Sequence, residues 1–196
     1  MEFTKYKDAI VIFDKYPQNE VVQPTAYFEG LAGECGEICA VLAKEQQEGF
    51  RREQLIDNLI NEMGDYMWYW TRLGVKINIP ITEIFNDCVE YIAFEYNRIN
   101  PSQSQLSFVH QTCRVVEQHK KVLRDDNGVF TEAKIDRITQ CMRLALIHLF
   151  QIMREWRIHP TDVLTVNVDK LSKRLKSNTI HGSDDDGSRD NPKDTI

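Results

Sequence analysis

Two pairs of acids are spaced for joint chemistry, Glu34-x-x-Glu37 and Glu62-x-x-Asp65. On a helix, residues three apart share a face, with Cβ atoms about 5–6 Å from one another. Each pair then turns its carboxylates one way, and antiparallel packing of two such helices would converge all four. Four like charges at one spot repel, and some would hold protons unless a cation sits among them. Hard oxygen donors of this kind suit Mg²⁺, with Mn²⁺ as the alternative, and the usual cargo of such ions is a phosphate chain.

A single Glu-x-x-Glu on a helix is ordinarily just solvated, so context decides. Glu34 and Glu37 are embedded in Leu31-Ala32-Gly33-Glu34-Cys35-Gly36-Glu37-Ile38-Cys39, whose small residues predict close approach of a neighbouring helix. Asp65 is followed by Tyr66-Met67-Trp68-Tyr69-Trp70, an aromatic run expected to be largely buried. Acids adjoining such apolar surface need a partner, and a metal ion serves them all.

The elements that must position these acids are helices. Apolar positions recur at spacings of three and four through Phe3–Tyr16, Tyr27–Leu42, Leu55–Leu73, Ile81–Ile99, Leu106–Leu123, Ile135–Trp156 and Val163–Leu175. Breaks fall at Pro17–Pro24, Gly49, Gly74–Pro80, Asn100–Ser104, Asp125–Gly128 and His159–Pro160. Thr82 with Glu83, and Thr161 with Asp162, read as helix starts just beyond a proline. No stretch alternates as a strand would. The expected fold class is all-α, a helical bundle forming one domain over residues 1–177.

Around the acids the chain resembles a known family. Tyr27-Phe28-Glu29-Gly30-Leu31-Ala32-Gly33-Glu34-Cys35-Gly36-Glu37-Ile38 is similar to the first motif of MazG-type nucleoside triphosphate pyrophosphohydrolases. Glu62-Met63-Gly64-Asp65-Tyr66-Met67-Trp68-Tyr69 is similar to their second, an ExGDxxWY pattern, and Lys15-Tyr16-Pro17 with Lys44 fits the phage-type branch. That family is all-α and related to dimeric dUTPases. The resemblance implies Mg²⁺ held by Glu34, Glu37, Glu62 and Asp65, and cleavage of an NTP or dNTP between its α and β phosphates. It extends to Asn167-Val168-Asp169-Lys170-Leu171-Ser172-Lys173-Arg174 and to Gly182-Ser183-Asp184-Asp185-Asp186-Gly187-Ser188-Arg189. Lys44, Asn167, Lys170, Arg174, Asp186 and Arg189 are thereby implied to bind substrate, although the tail's extra acids break the family's usual spacing. The expected mechanism is metal-assisted attack of water on the α-phosphorus. Glu34 would orient or deprotonate that water, and Lys170 and Arg174 would take up charge on the leaving pyrophosphate.

Some 80 residues separate these motifs, which in the family are near neighbours, and a faint internal repeat accounts for the gap. At an offset of 79, Gly49 matches Gly128, Glu53 Glu132, Ile56 Ile135, Asp57 Asp136 and Met63 Met142, and further on Ile79 matches Ile158 and Thr82 Thr161. Degenerate copies are expected at about 25–98 and 104–177, stacked to bury a shared face. The same offset carries Glu34, Glu37, Glu62 and Asp65 onto Cys113, Val116, Cys141 and Leu144, and takes Asn167, Lys170 and Arg174 back to Cys88, Tyr91 and Glu95. Each copy lacks what the other has, which predicts one composite site per chain. Completion of the site across a homo-oligomer is the other arrangement. The polar tail, residues 178–196, reads by composition as disorder, or as a segment that orders over bound nucleotide.

The remaining features exclude more than they suggest. A net charge of −6 leaves no electrostatic footprint for nucleic acid or an anionic membrane. No apolar run approaches the roughly 18 residues of a membrane span, and the charged N-terminus is no signal peptide, so a cytoplasmic protein (host cytoplasm, if phage-encoded) is expected. Five cysteines without a CxxC read as buried reduced thiols rather than a zinc site. Trp68, Tyr69 and Trp70 read chiefly as core, with Tyr27 and Phe28 better placed to meet a nucleobase. No histidine pairs with a nucleophile, and no Glu-x-x-His supports a di-iron centre. There is no Walker-type loop either, so phosphate must be held by metal and side chains. The competing function is a non-catalytic helical adaptor derived from such an enzyme.

Overall fold

The apolar period becomes seven α-helices, and no strand, among the residues described. In this computed structural model those are 1–20, 22–45, 51–94 and 101–179, with Pro101 and Ser102 described by backbone alone. The helices are α1 (Phe3–Ala9, running into a 3₁₀ turn at Ile10–Phe13), α2 (Val22–Lys44), α3 (Arg52–Lys76), α4 (Ile81–Phe94), α5 (Pro101–Asp125), α6 (Glu132–Glu155) and α7 (Pro160–Ser177). None of them is long and apolar enough to cross a membrane. The fold is an all-α bundle.

Helix α3 is its spine. Leu55, Leu59, Met63, Tyr66, Met67, Trp70 and Leu73 are all essentially inaccessible, each burial contributing about 1.5–3 kcal/mol before entropy is counted. α2 lies along one side of α3, α7 along another, and α5 packs on both α2 and α6. Two predicted bounds shift for local reasons. The segment expected as one helix from Phe3 to Tyr16 leaves α-geometry after Ala9, because extended Asp14 is drawn inward as an acceptor. Its carboxylate takes bonds from Arg72 Nε (3.0 Å), Gln23 Nε2 (3.3 Å) and the Tyr27 hydroxyl, and from the Tyr16 amide at 3.2 Å. Helix α7 is capped by His159, whose ring nitrogen accepts from the Thr161 amide, so Thr161 lies inside the helix rather than at its cap. The expected continuation of α4 from 95 to 99 lies outside the described residues, as does Gly49.

The helices follow the order in which the sequence repeats. α3 and α6, and α4 and α7, begin 80 and 79 residues apart. The turns between them match in detail, with Asn78 and Arg157 each left-handed at φ 58°. Each turn is closed by equivalent bonds, Ile79 N to Gly74 O and Ile158 N to Met153 O, both 2.8 Å. The last helix of each half crosses over, α7 onto α3 and α4 onto α6. In α2 and α5 the offset is different. Tyr27, Leu31, Cys35, Ile38, Val41 and Leu42 are buried, and so are the residues 77 further on, Ser104, Phe108, Thr112, Val115, Gln118 and His119. The buried faces therefore equate Glu34 and Glu37 with Gln111 and Arg114, not with the Cys113 and Val116 that a constant 79 gives. Neither counterpart is an acid.

Candidate metal and phosphate site

Glu34 of α2 and Glu62 and Asp65 of α3 come together, all half-buried, with one carboxylate oxygen of each within 4.8 Å of the other two. The two helices run antiparallel. Gly30, one turn before Glu34, meets Tyr69, one turn after Asp65. Oxygens around an octahedral Mg²⁺ at about 2.1 Å stand roughly 3 to 4.2 Å apart, so the separations here are on the scale of such an ion's ligands. All-oxygen donors and partial burial fit a hard divalent cation. Glu37, a turn beyond Glu34 and also half-buried, is not one of the three that converge.

Two glycines make this packing possible. A Cβ at Gly30 would lie 2.2 Å from the Tyr69 ring, and one at Gly64 would lie 2.9 Å from the Cβ of Asn167. Gly64, between Glu62 and Asp65, is thus the gap through which α7 reaches the acids. Gly33 and Gly36 do not do what their small size predicted, because a Cβ on either would meet open space.

From α7, buried Asn167 donates through Nδ2 to Oδ1 of Asp65 at 2.9 Å and accepts from the buried hydroxyl of Tyr6, also at 2.9 Å. Burial, and then the charge of Asp65, push the Tyr6 phenol well above its ordinary pKa, so it stays a donor. Lys170 Nζ bonds Oδ2 of Asp65 and lies 3.5 Å from the Asn61 carbonyl. Beyond it, Asn61, Val166, Asp169, Lys170, Lys173 and Arg174 line a cleft of about 400 Å³, within the range of small-molecule sites. Arg174 thus lies in one cleft with Lys170 and Lys173. Lys44, at the end of α2, stands about 15 Å along the helix axis from Glu34. Asp186 and Arg189 lie outside the described residues.

The aromatic expectations divide. Trp68 and Trp70 are core, as expected, and Tyr69 is only half-buried. Its hydroxyl meets that of Tyr16 at 2.9 Å. Burial first, then Tyr16 and the charges of Glu34 and Asp65, raise its pKa, leaving a neutral phenol beside the acids. Tyr27 and Phe28 are fully buried. Tyr27 bonds Asp14, and Phe28 stacks on His119 with ring centres 4.2 Å apart. Nor are all the thiols buried. Cys35, Cys88 and Cys141 are, Cys39 is partly so, and Cys113 is exposed.

Sequence reasoning did not find Tyr6, Asn61 or Lys173. Lys173 was signalled by position, three residues after Lys170 on one helix face, whereas nothing local marks Tyr6. At the place related to the cleft by the repeat, Asp87, Cys88, Glu90, Tyr91, Phe94, Arg143 and Ile147 line a second hollow, with Arg143 paired to Asp87 at 2.8 Å. Cys141 and Leu144 stand there where the first half has Glu62 and Asp65. No protein-family model matches this chain, and no curated protein or solved structure matches it.

Proposed function

We propose that the chain is a divalent-metal-dependent hydrolase that converts a nucleoside or deoxynucleoside triphosphate to its monophosphate and pyrophosphate. One observation carries the reading. Three of the four acids of the two resembling motifs converge, and the basic motif some 100 residues later supplies Asn167 and Lys170 to Asp65 itself. Glu34, Glu62 and Asp65 would hold the cation, Mg²⁺ or Mn²⁺, with Glu37 able to join as a fourth carboxylate. When bound, the cation would neutralise phosphate charge and make a water more acidic.

The protein's own groups have separable tasks. Glu34 accepts the proton of the attacking water or orients it. Asn167, locked by Tyr6, fixes the angle of the Asp65 carboxylate. Lys170, Lys173 and Arg174 gather charge on the departing pyrophosphate, Arg174 with the planar fork that suits two phosphate oxygens. Both halves of the site belong to one chain, so turnover would need no second copy.

The test is incubation of the pure protein with Mg²⁺ and a panel of NTPs and dNTPs, followed by identification of products. Pyrophosphate and monophosphate, abolished by excess EDTA, support the reading. Orthophosphate, or full activity in EDTA, rejects it. An absence of turnover across the panel would favour the non-catalytic adaptor.

A further inference from the structure

We propose that Lys170 is a resident counter-ion of the acid site, holding Asp65 until a divalent cation displaces it and then turning to the phosphate that the cation carries. The proposal rests on the metal-dependent reading above and adds a step to it. Both oxygens of Asp65 already have donors. Oδ1 receives Nδ2 of Asn167, which is buried, anchored by Tyr6 and packed against Gly64, so it has nowhere to move. Oδ2 receives the Lys170 ammonium, whose side chain is 20% exposed and ends a flexible four-carbon stem. Of the two donors only the lysine can leave.

Its position has a physical reason. Three carboxylates within 4.8 Å of one another repel when no metal is present. An ammonium placed against one of them offsets that repulsion and supplies up to three hydrogen-bond donors. A divalent cation bound to the same oxygen brings like charges within a few ångströms, and these repel strongly in a partly buried setting. The ammonium and the metal therefore exchange rather than coexist. Lys170 also lines the cleft it shares with Lys173 and Arg174. Released from Asp65, it adds a third cation where a metal-borne phosphate would lie, which couples metal loading to phosphate affinity.

Two measurements on the full chain test this. With ¹⁵N-lysine, the protected ammonium signal of Lys170, assigned by its loss in Lys170→Met, should be present without metal and should shift or vanish in step with Mg²⁺ occupancy. Calorimetry with Mn²⁺ should give binding about tenfold tighter in Lys170→Met, the loss of one charge-assisted hydrogen bond that competes with the metal. Lys170→Gln serves if the methionine variant does not fold. Removal of a bystander charge would tighten binding without moving the ammonium, so the signal decides. Metal binding that leaves the Lys170 signal unchanged, or no tighter in the variant, overturns the proposal alone. If neither wild type nor variant binds Mn²⁺, the metal-dependent function falls with it.

Discussion

Asn167 donates to Asp65 over 2.9 Å although 102 residues separate them. The same amide accepts from Tyr6, 161 residues away, so one buried side chain ties α1, α3 and α7 at the acids. Asn167→Leu should leave the Tyr6 hydroxyl and one Asp65 oxygen unpaired, costing about 2–3 kcal/mol. That corresponds to a fall of roughly 4–12 °C in Tm. A loss below about 0.5 kcal/mol, the range of an ordinary surface substitution, would mean the amide is not a tie.

The four glycines of the two motifs should divide into opposed pairs. Gly30→Ala and Gly64→Ala must push against Tyr69 and Asn167, and should destabilise by about 1–3 kcal/mol. Gly33→Ala and Gly36→Ala meet open space on a helix and should stabilise by about 0.5–1 kcal/mol. Denaturant melts of the four variants check this, and equal effects across them would contradict the packing described.

Stability should fall on mild acidification. His119 is buried with its ring stacked on Phe28, and burial lowers its pKa despite the opposing charge of Glu29. The folded state therefore favours the neutral ring while the unfolded chain protonates near 6.5. The unfolded state binds more protons below that point, so stability is complete above about pH 6.5 and is lost as pH falls toward the folded pKa. His119→Phe should flatten the Tm profile between pH 7 and 5.5, whereas an unchanged slope would assign the loss to other groups.

Building the site from one chain makes a further prediction. A mixture of Glu62→Gln and Arg174→Ala proteins, each inactive alone, should stay inactive after subunit exchange. Recovered turnover would show that acids and cations are contributed by different copies.

Much of this site was legible because acids three apart on a helix must share a face, and Glu62, Asp65 and Glu34 needed only antiparallel packing to meet. Asn167 and Lys170 were marked by the resemblance of their motif, and the complementary losses in the repeat agreed with it. Tyr6 was not legible, since no local pattern says which distant helix a tyrosine hydroxyl will reach. The buried role of Asp14 was hidden in the same way, behind four partners spread from Tyr16 to Arg72. The two-residue slip between α2 and α5 escaped notice because the matching positions begin only after it. Gly33 and Gly36 show that a glycine beside an acid does not say which face it occupies.

The most direct measurement is hydrolysis in H₂¹⁸O with Mg²⁺, run on wild type and Glu62→Gln together. Label should enter the monophosphate and be absent from pyrophosphate. The variant, with its helical circular dichroism unchanged, should be slower by about a thousandfold or more, the scale of removing a group that acts mainly on the transition state. Label in pyrophosphate or orthophosphate, or a variant that turns over like wild type, would contradict the site assigned to Glu34, Glu62 and Asp65.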